Sequence, residues 1–228
     1  MIQAIESMIA EQNFDAAISF IMDSLEKNPN EQFNLIYLIE MAQMPYFTHK
    51  KPAQWLLEQI EKIEDGNKVN DEEVAWELTM AKIELRNAFD GSSQVELCYL
   101  WEFVRRFPKY EKGVIYYVEK CAEYQFFTDL WFDDRFILEH YEKASTRALL
   151  YVLLSLAAYH VDIRWNTEKR WEKVAKYLDK AYAQDAKITK DLILQKDNPA
   201  DGRSYDWGIY HESVLEWIDE KENKNNNA

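Results

Sequence analysis

Apolar residues recur along this chain at three- and four-residue intervals. Phe14, Ala17, Ile18, Ile21 and Leu25 form one stripe; Val74, Leu78, Ala81 and Leu85 form a second; Leu97, Leu100, Trp101 and Val104 a third. Trp171, Val174, Ala175, Leu178 and Ala181 make a fourth, and Tyr210, Val214, Trp217 and Ile218 a fifth. This spacing lines up apolar side chains on one face of a helix and leaves the other face polar. It predicts helices over 2–11, 14–27, 31–43, 53–65, 71–88, 93–106, 110–123, 129–142, 145–163, 168–185 and 207–221, with a short one near 187–195. The helix over 145–163 is apolar on all sides through Ala148–Leu154, so it is expected at the centre of the packing.

The residues between the stripes agree with this pattern. Asn13, Asn70, Ser92 and Thr167 are the expected N-caps, with Glu73 three residues after Asn70 as in a capping box. Pro29 and Pro108 stop the helices before them, and Gly66 and Gly91 suit C-terminal caps or turns. Most connections are short, which favours antiparallel neighbours. Residues 196–206 read as a loop, and the Asn- and Lys-rich 222–228 as a disordered tail. No shift in composition divides residues 1–221, which read as a single all-helical domain.

Composition narrows the fold class. The 228 residues include only 5 Gly and 5 Pro, too few for the turns of an all-β fold. The expected class is all-α, with antiparallel helix pairs stacked as an α-solenoid and an irregular helical bundle as the alternative. Charge narrows the partners. With 27 basic and 41 acidic side chains the net charge is −14, which opposes nucleic acid and anionic membrane surfaces. Lys50–Lys51 and Arg105–Arg106 are isolated pairs and make no basic patch. The beginning of the chain carries Glu6 and Glu11 and no basic run, unlike a signal peptide. The longest apolar run, Ala148–Tyr159, is shorter than the ~20 residues a bilayer demands. Cys98 and Cys121 lie among apolar neighbours and read as inert core thiols. These features together point to a cytosolic protein.

The stretch from Gln12 to Asn30 resembles the second half of a tetratricopeptide repeat. Phe14 stands at the aromatic turn position, Ala17 and Ser24 at the small positions, Ile21 at the large one and Pro29 at the terminating proline. A second stretch, Arg170–Asp185, places Trp171, Val174, Leu178 and Ala181 alike, with Ala186 where the proline would stand. The Trp–Leu–Gly signature of the first repeat helix and a strict 34-residue period are absent. The resemblance implies a degenerate repeat of helix pairs with a protein-binding role.

The chain has no Gly-rich phosphate loop, Gly-x-Ser-x-Gly, His-Glu-x-x-His or Cys-x-x-Cys motif. His49, His140, His160 and His211 are scattered, so no metal or cofactor is expected. Acidic residues, in contrast, are concentrated. Residues 58–77 contain Glu58, Glu61, Glu64, Asp65, Asp71, Glu72, Glu73 and Glu77 against Lys62 and Lys68. A negative surface of this density steers a basic partner. Trp131 with Asp133 and Asp134 is a second candidate contact, and Trp165 and Trp207 are candidate aromatic anchors beside loops. The expectation is a non-enzymatic module that docks a protein partner through Glu58, Glu61, Glu64, Asp71, Glu72, Glu73, Trp131, Asp133, Asp134, Trp165 and Trp207. One version is an immunity or antitoxin protein that masks a basic toxin; a general adaptor or chaperone is another. The rival is an enzyme built from the 196–206 loop, His160 or His211, and the acids near Asp133.

Overall fold

The computed structural model describes residues 2–29, 32–66, 69–124, 134–159, 167–194 and 211–226. Every regular element among them is helical: α1 (Ile2–Ala10), α2 (Phe14–Lys27), α3 (Ile36–Ala42), α4 (Lys50–Gly66), α5 (Glu72–Asn87) and α6 (Ser93–Arg106), then α7 (Glu111–Glu123), α8 (Asp134–His140), α9 (Ala144–Tyr159), α10 (Thr167–Gln184), α11 (Ala186–Leu194) and α12 (His211–Asn226). Short 3-10 turns, Gln32–Leu35 and Pro45–Thr48, precede α3 and α4. The chain divides into two units, Met1–Gly113 and Val114–Ala228.

In the first unit α2 buries the predicted stripe, Phe14, Ala17, Ile18, Ile21 and Leu25, against α1 and the first 3-10 turn. α4 contributes Ala53, Leu56, Leu57, Ile60 and Ile63, and α5 packs against α3, α4 and α6. Trp76 of α5 meets Phe103 of α6 edge to face at 5.2 Å. Gly113 closes this contact. A Cβ there would press into the Phe103 ring and lie 3.2 Å from Trp76 Cε3, so glycine lets the backbone at this position lie against both rings. In the second unit α9 lies among α8, α10 and α11, and Leu150–Ala158 are all buried, as its all-round apolarity predicts. Its buried Ser155 hydroxyl donates to the carbonyl of Val152 at 2.5 Å. α12 docks by Val214, Trp217 and Ile218; the Trp217 indole donates to Asp179 at 2.9 Å and meets Tyr182 edge to face.

Several expectations are corrected. The helix predicted over 31–43 is a 3-10 turn followed by the shorter α3, with Asn34 fully buried and Phe33 and Ile36 each half exposed. The N-cap of α5 is Asp71, not Asn70. Asn13 and Ser92 stand at N-cap positions, yet neither side chain caps its helix. Cys98 is exposed and only Cys121 is buried, because Cys98 falls off the stripe made by Leu97, Leu100 and Val104. The last helix runs on through Glu222 to Asn226, where composition suggests a tail. The loop 196–206 and the 129–133 start of the helix predicted over 129–142 lie outside the described residues.

Candidate functional site

The acidic run folds onto two helices that face a third. Glu58, Glu61 and Glu64 recur at three-residue intervals along α4, so they share a side of that helix. Glu61 and Glu64, with Asp65, line a pocket of about 370 Å³ whose other walls include Thr79 and Lys82 of α5 and Tyr99, Glu102 and Arg106 of α6. None of these three helices could form it alone, and the aromatic contact between Trp76 and Phe103 holds α5 and α6 in place beneath it.

Two kinds of bond fix the carboxylates. Lys82 pairs with Glu64 at 2.5 Å, both side chains lying mostly out of solvent, and its ammonium also sits 5.1 Å from the Tyr99 ring centre. A largely buried pair of this kind gains from the lower dielectric and loses hydration, so its main effect is to hold α4 to α5 in one register. Glu61, in contrast, accepts a hydrogen bond from the Tyr99 hydroxyl at 2.8 Å. Glu73 accepts likewise from Tyr110 at 2.5 Å. A hydroxyl donor orients a carboxylate without cancelling its charge. Burial, together with the adjoining carboxylate, pushes both phenols well above the usual tyrosine range, so Tyr99 and Tyr110 remain protonated donors at physiological pH.

The other predicted acids serve different ends. Asp71 Oδ1 accepts from the backbone N–H of Glu73 and Val74, each at 3.0 Å, and starts α5. Glu77 meets Lys112 at 3.4 Å. Glu58, Asp65, Glu72 and Glu102 are exposed and have no ion-pair partner among the described residues. The face therefore keeps most of its negative charge, and Arg106 at its edge is engaged with the carbonyl of Val69 at 2.5 Å. The pattern of acids alone misses Lys82, Tyr99, Glu102 and Arg106. Lys82 and Tyr99 are brought in by bonds to Glu64 and Glu61 across 18 and 38 residues of sequence, Glu102 and Arg106 only by the packing of α6, and nothing local in α5 or α6 announces either.

The remaining candidates do not join this site. Asp134 begins α8 in the second unit and pairs with Lys180 of α10. Trp131, Asp133, Trp165 and Trp207 lie outside the described residues, as does His160. His140 stacks on Phe136 at 4.3 Å and bonds its carbonyl, a local helix contact. Among the described residues no group of three or more His, Cys, Asp and Glu side chains could hold a metal ion, and no helix is long and apolar enough to cross a membrane. No family model matches the chain, and neither a curated protein nor a solved structure does.

Proposed function

We propose that this chain is a non-enzymatic protein-binding module whose α4–α5–α6 face docks a basic protein partner. The observation that carries this reading is the pair of tyrosine donors: Tyr99 and Tyr110 hold Glu61 and Glu73 in fixed positions and leave them charged. Oriented carboxylates meet a guanidinium or ammonium with less side-chain ordering than mobile ones, so affinity is not lost to entropy. Glu58, Asp65, Glu72 and Glu102, without an ion-pair partner among the described residues, supply the field that speeds encounter.

In its specific form this is an immunity or antitoxin protein, cytosolic, covering a basic toxin domain; a general adaptor or chaperone would use the same face with less selectivity. The helices are taken as TPR-like pairs, with α2 presenting its small residues Ala17 and Ser24 inward, which is what such pairs require. The test compares the native chain with a Glu58→Gln, Glu61→Gln, Glu72→Gln, Glu73→Gln variant. A partner captured from the native lysate should bind the native chain with an on-rate that falls at least about tenfold between low and physiological salt. The variant should lose most of that rate at low salt. Equal capture by both proteins, at a rate indifferent to salt, would remove the acidic face from the function.

A further inference from the structure

The core of the second unit is closed without α12. α9, α10 and α11 each pack against the other two. Leu150–Ala158 of α9 are buried among them, as are Val174, Leu178 and Ala181 of α10 and Ile193 of α11. α12 adds one narrow apolar stripe to this core, Val214, Trp217 and Ile218, while Glu212, Glu216, Asp219, Glu220 and Asn223 are exposed. The helix has 16 residues. Each loses backbone freedom when the helix orders, and a polar helix of this length is marginal in water by itself. A stripe this short offsets little of that loss.

Polar bonds at the edge of the contact fasten it. One oxygen of Asp179, on α10, accepts both the Trp217 indole N–H at 2.9 Å and the Lys221 ammonium at 2.7 Å. The Lys221 ammonium also sits 5.5 Å from the Trp217 ring centre, and Trp217 meets Tyr182 edge to face at 5.7 Å. From α11, Lys190 pairs with Glu222, the residue after Lys221.

Trp217 joins the apolar contact to these polar bonds. Its ring is buried, yet the acceptor of its N–H is a carboxylate whose side chain is 52% exposed. Without Asp179 the indole N–H would stay buried and lose its acceptor, which costs more than the loss of an exposed ion pair. The two bonds to Asp179 are therefore lost together, and Trp217 is the side chain that suffers.

We propose that α12 is a releasable strap, which undocks as one unit from a core of α9, α10 and α11 that stays folded, with Asp179 as its catch. Segments that open below the global limit bury little apolar surface and depend on solvent-exposed bonds, and α12 has both properties. Release frees Trp217 and Lys221 at once and uncovers the side of α10 and α11 that carries Tyr182 and Lys190. The strap stands on its own contacts and does not rest on the acidic α4–α5–α6 face.

Amide hydrogen exchange of the full chain in low urea, resolved by residue, tests this. Amides of residues 214–222 should exchange through openings at least about tenfold more populated than those of residues 150–158, with a shallower urea dependence. Asp179→Ala should raise exchange across α12 at least about fivefold and leave α9 unchanged. Trp217→Phe removes the indole N–H and keeps an aromatic ring. It should also speed α12, and adding Asp179→Ala to it should then raise exchange by less than it does in the native chain. The proposal is overturned if α12 and α9 share one protection and one urea dependence, if Asp179→Ala speeds α9 as much as α12, or if it leaves α12 unchanged.

Discussion

Folding alters the chemistry of Tyr99 and Tyr110. Each phenol donates to a carboxylate, the Tyr99 pair part-buried and the Tyr110 pair more open, so ionising either would place two negative charges together. Burial is the largest cause in both, the hydrogen bond to Glu61 or Glu73 the next. Their folded pKa values lie above the unfolded value of about 10. The folded state therefore holds these protons where the unfolded chain has released them. The stability so gained is fully present below the unfolded pKa and is lost as pH rises toward the folded values. Stability followed by urea denaturation should be level from neutral pH to about pH 9.5 and should decline above it. Tyr99→Phe with Tyr110→Phe should flatten that decline, since the groups that titrate are gone. A decline of unchanged steepness would mean that other tyrosines or lysines govern the alkaline limit.

At the scale of elements, the start of α5 shows what a sequence can and cannot say. A capping box beginning at Asn70 would use Glu73 to accept the N-cap N–H. In the folded chain Gln32, from the turn before α3, accepts from the backbone N–H of Asn70 and Asp71 instead. The cap moves to Asp71, and Glu73 is released to accept from Tyr110. Asp71→Ala should therefore cost about 1 kcal/mol and Asn70→Ala far less, by denaturant midpoints. Asp71→Asn should keep the cap and remove only the charge; if Asn70→Ala proves the costlier, the assignment of the cap is wrong. The stripes of α2, α6 and α10 were legible because burial there follows helical period alone. The turn before α3 was not, since tertiary packing puts Asn34 inside against Ser24 and leaves Phe33 and Ile36 half exposed. The acids of α4 were legible as a charged side; their tyrosine and lysine partners were not, because contacts between α4, α5 and α6 set them.

At the scale of the molecule, surface charge bears on stability and on the docking proposed for the α4–α5–α6 face. Residues 1–113 hold 20 acidic against 11 basic side chains, and Glu58, Asp65, Glu72 and Glu102 of that excess stand without an ion-pair partner among the described residues. Like charges on a compact body repel, and folding brings them closer than they lie in the unfolded chain. Salt screens this over about 30 Å at 0.01 M and about 10 Å at 0.1 M. The melting temperature should accordingly rise as sodium chloride is raised through that range, even though the exposed pairs Arg86–Asp90 and Arg135–Glu139 are weakened. A Glu58→Gln, Asp65→Asn, Glu72→Gln variant should melt higher than the native chain at low salt and respond to salt less. If the melting temperature instead falls with salt, the ion pairs outweigh the repulsion and the acids carry no stability cost. If it rises as expected, the same three substitutions that stabilise the fold should slow capture of a basic partner. The native chain would then hold a destabilising surface charge whose return appears only on association, which is the physical signature of a docking face.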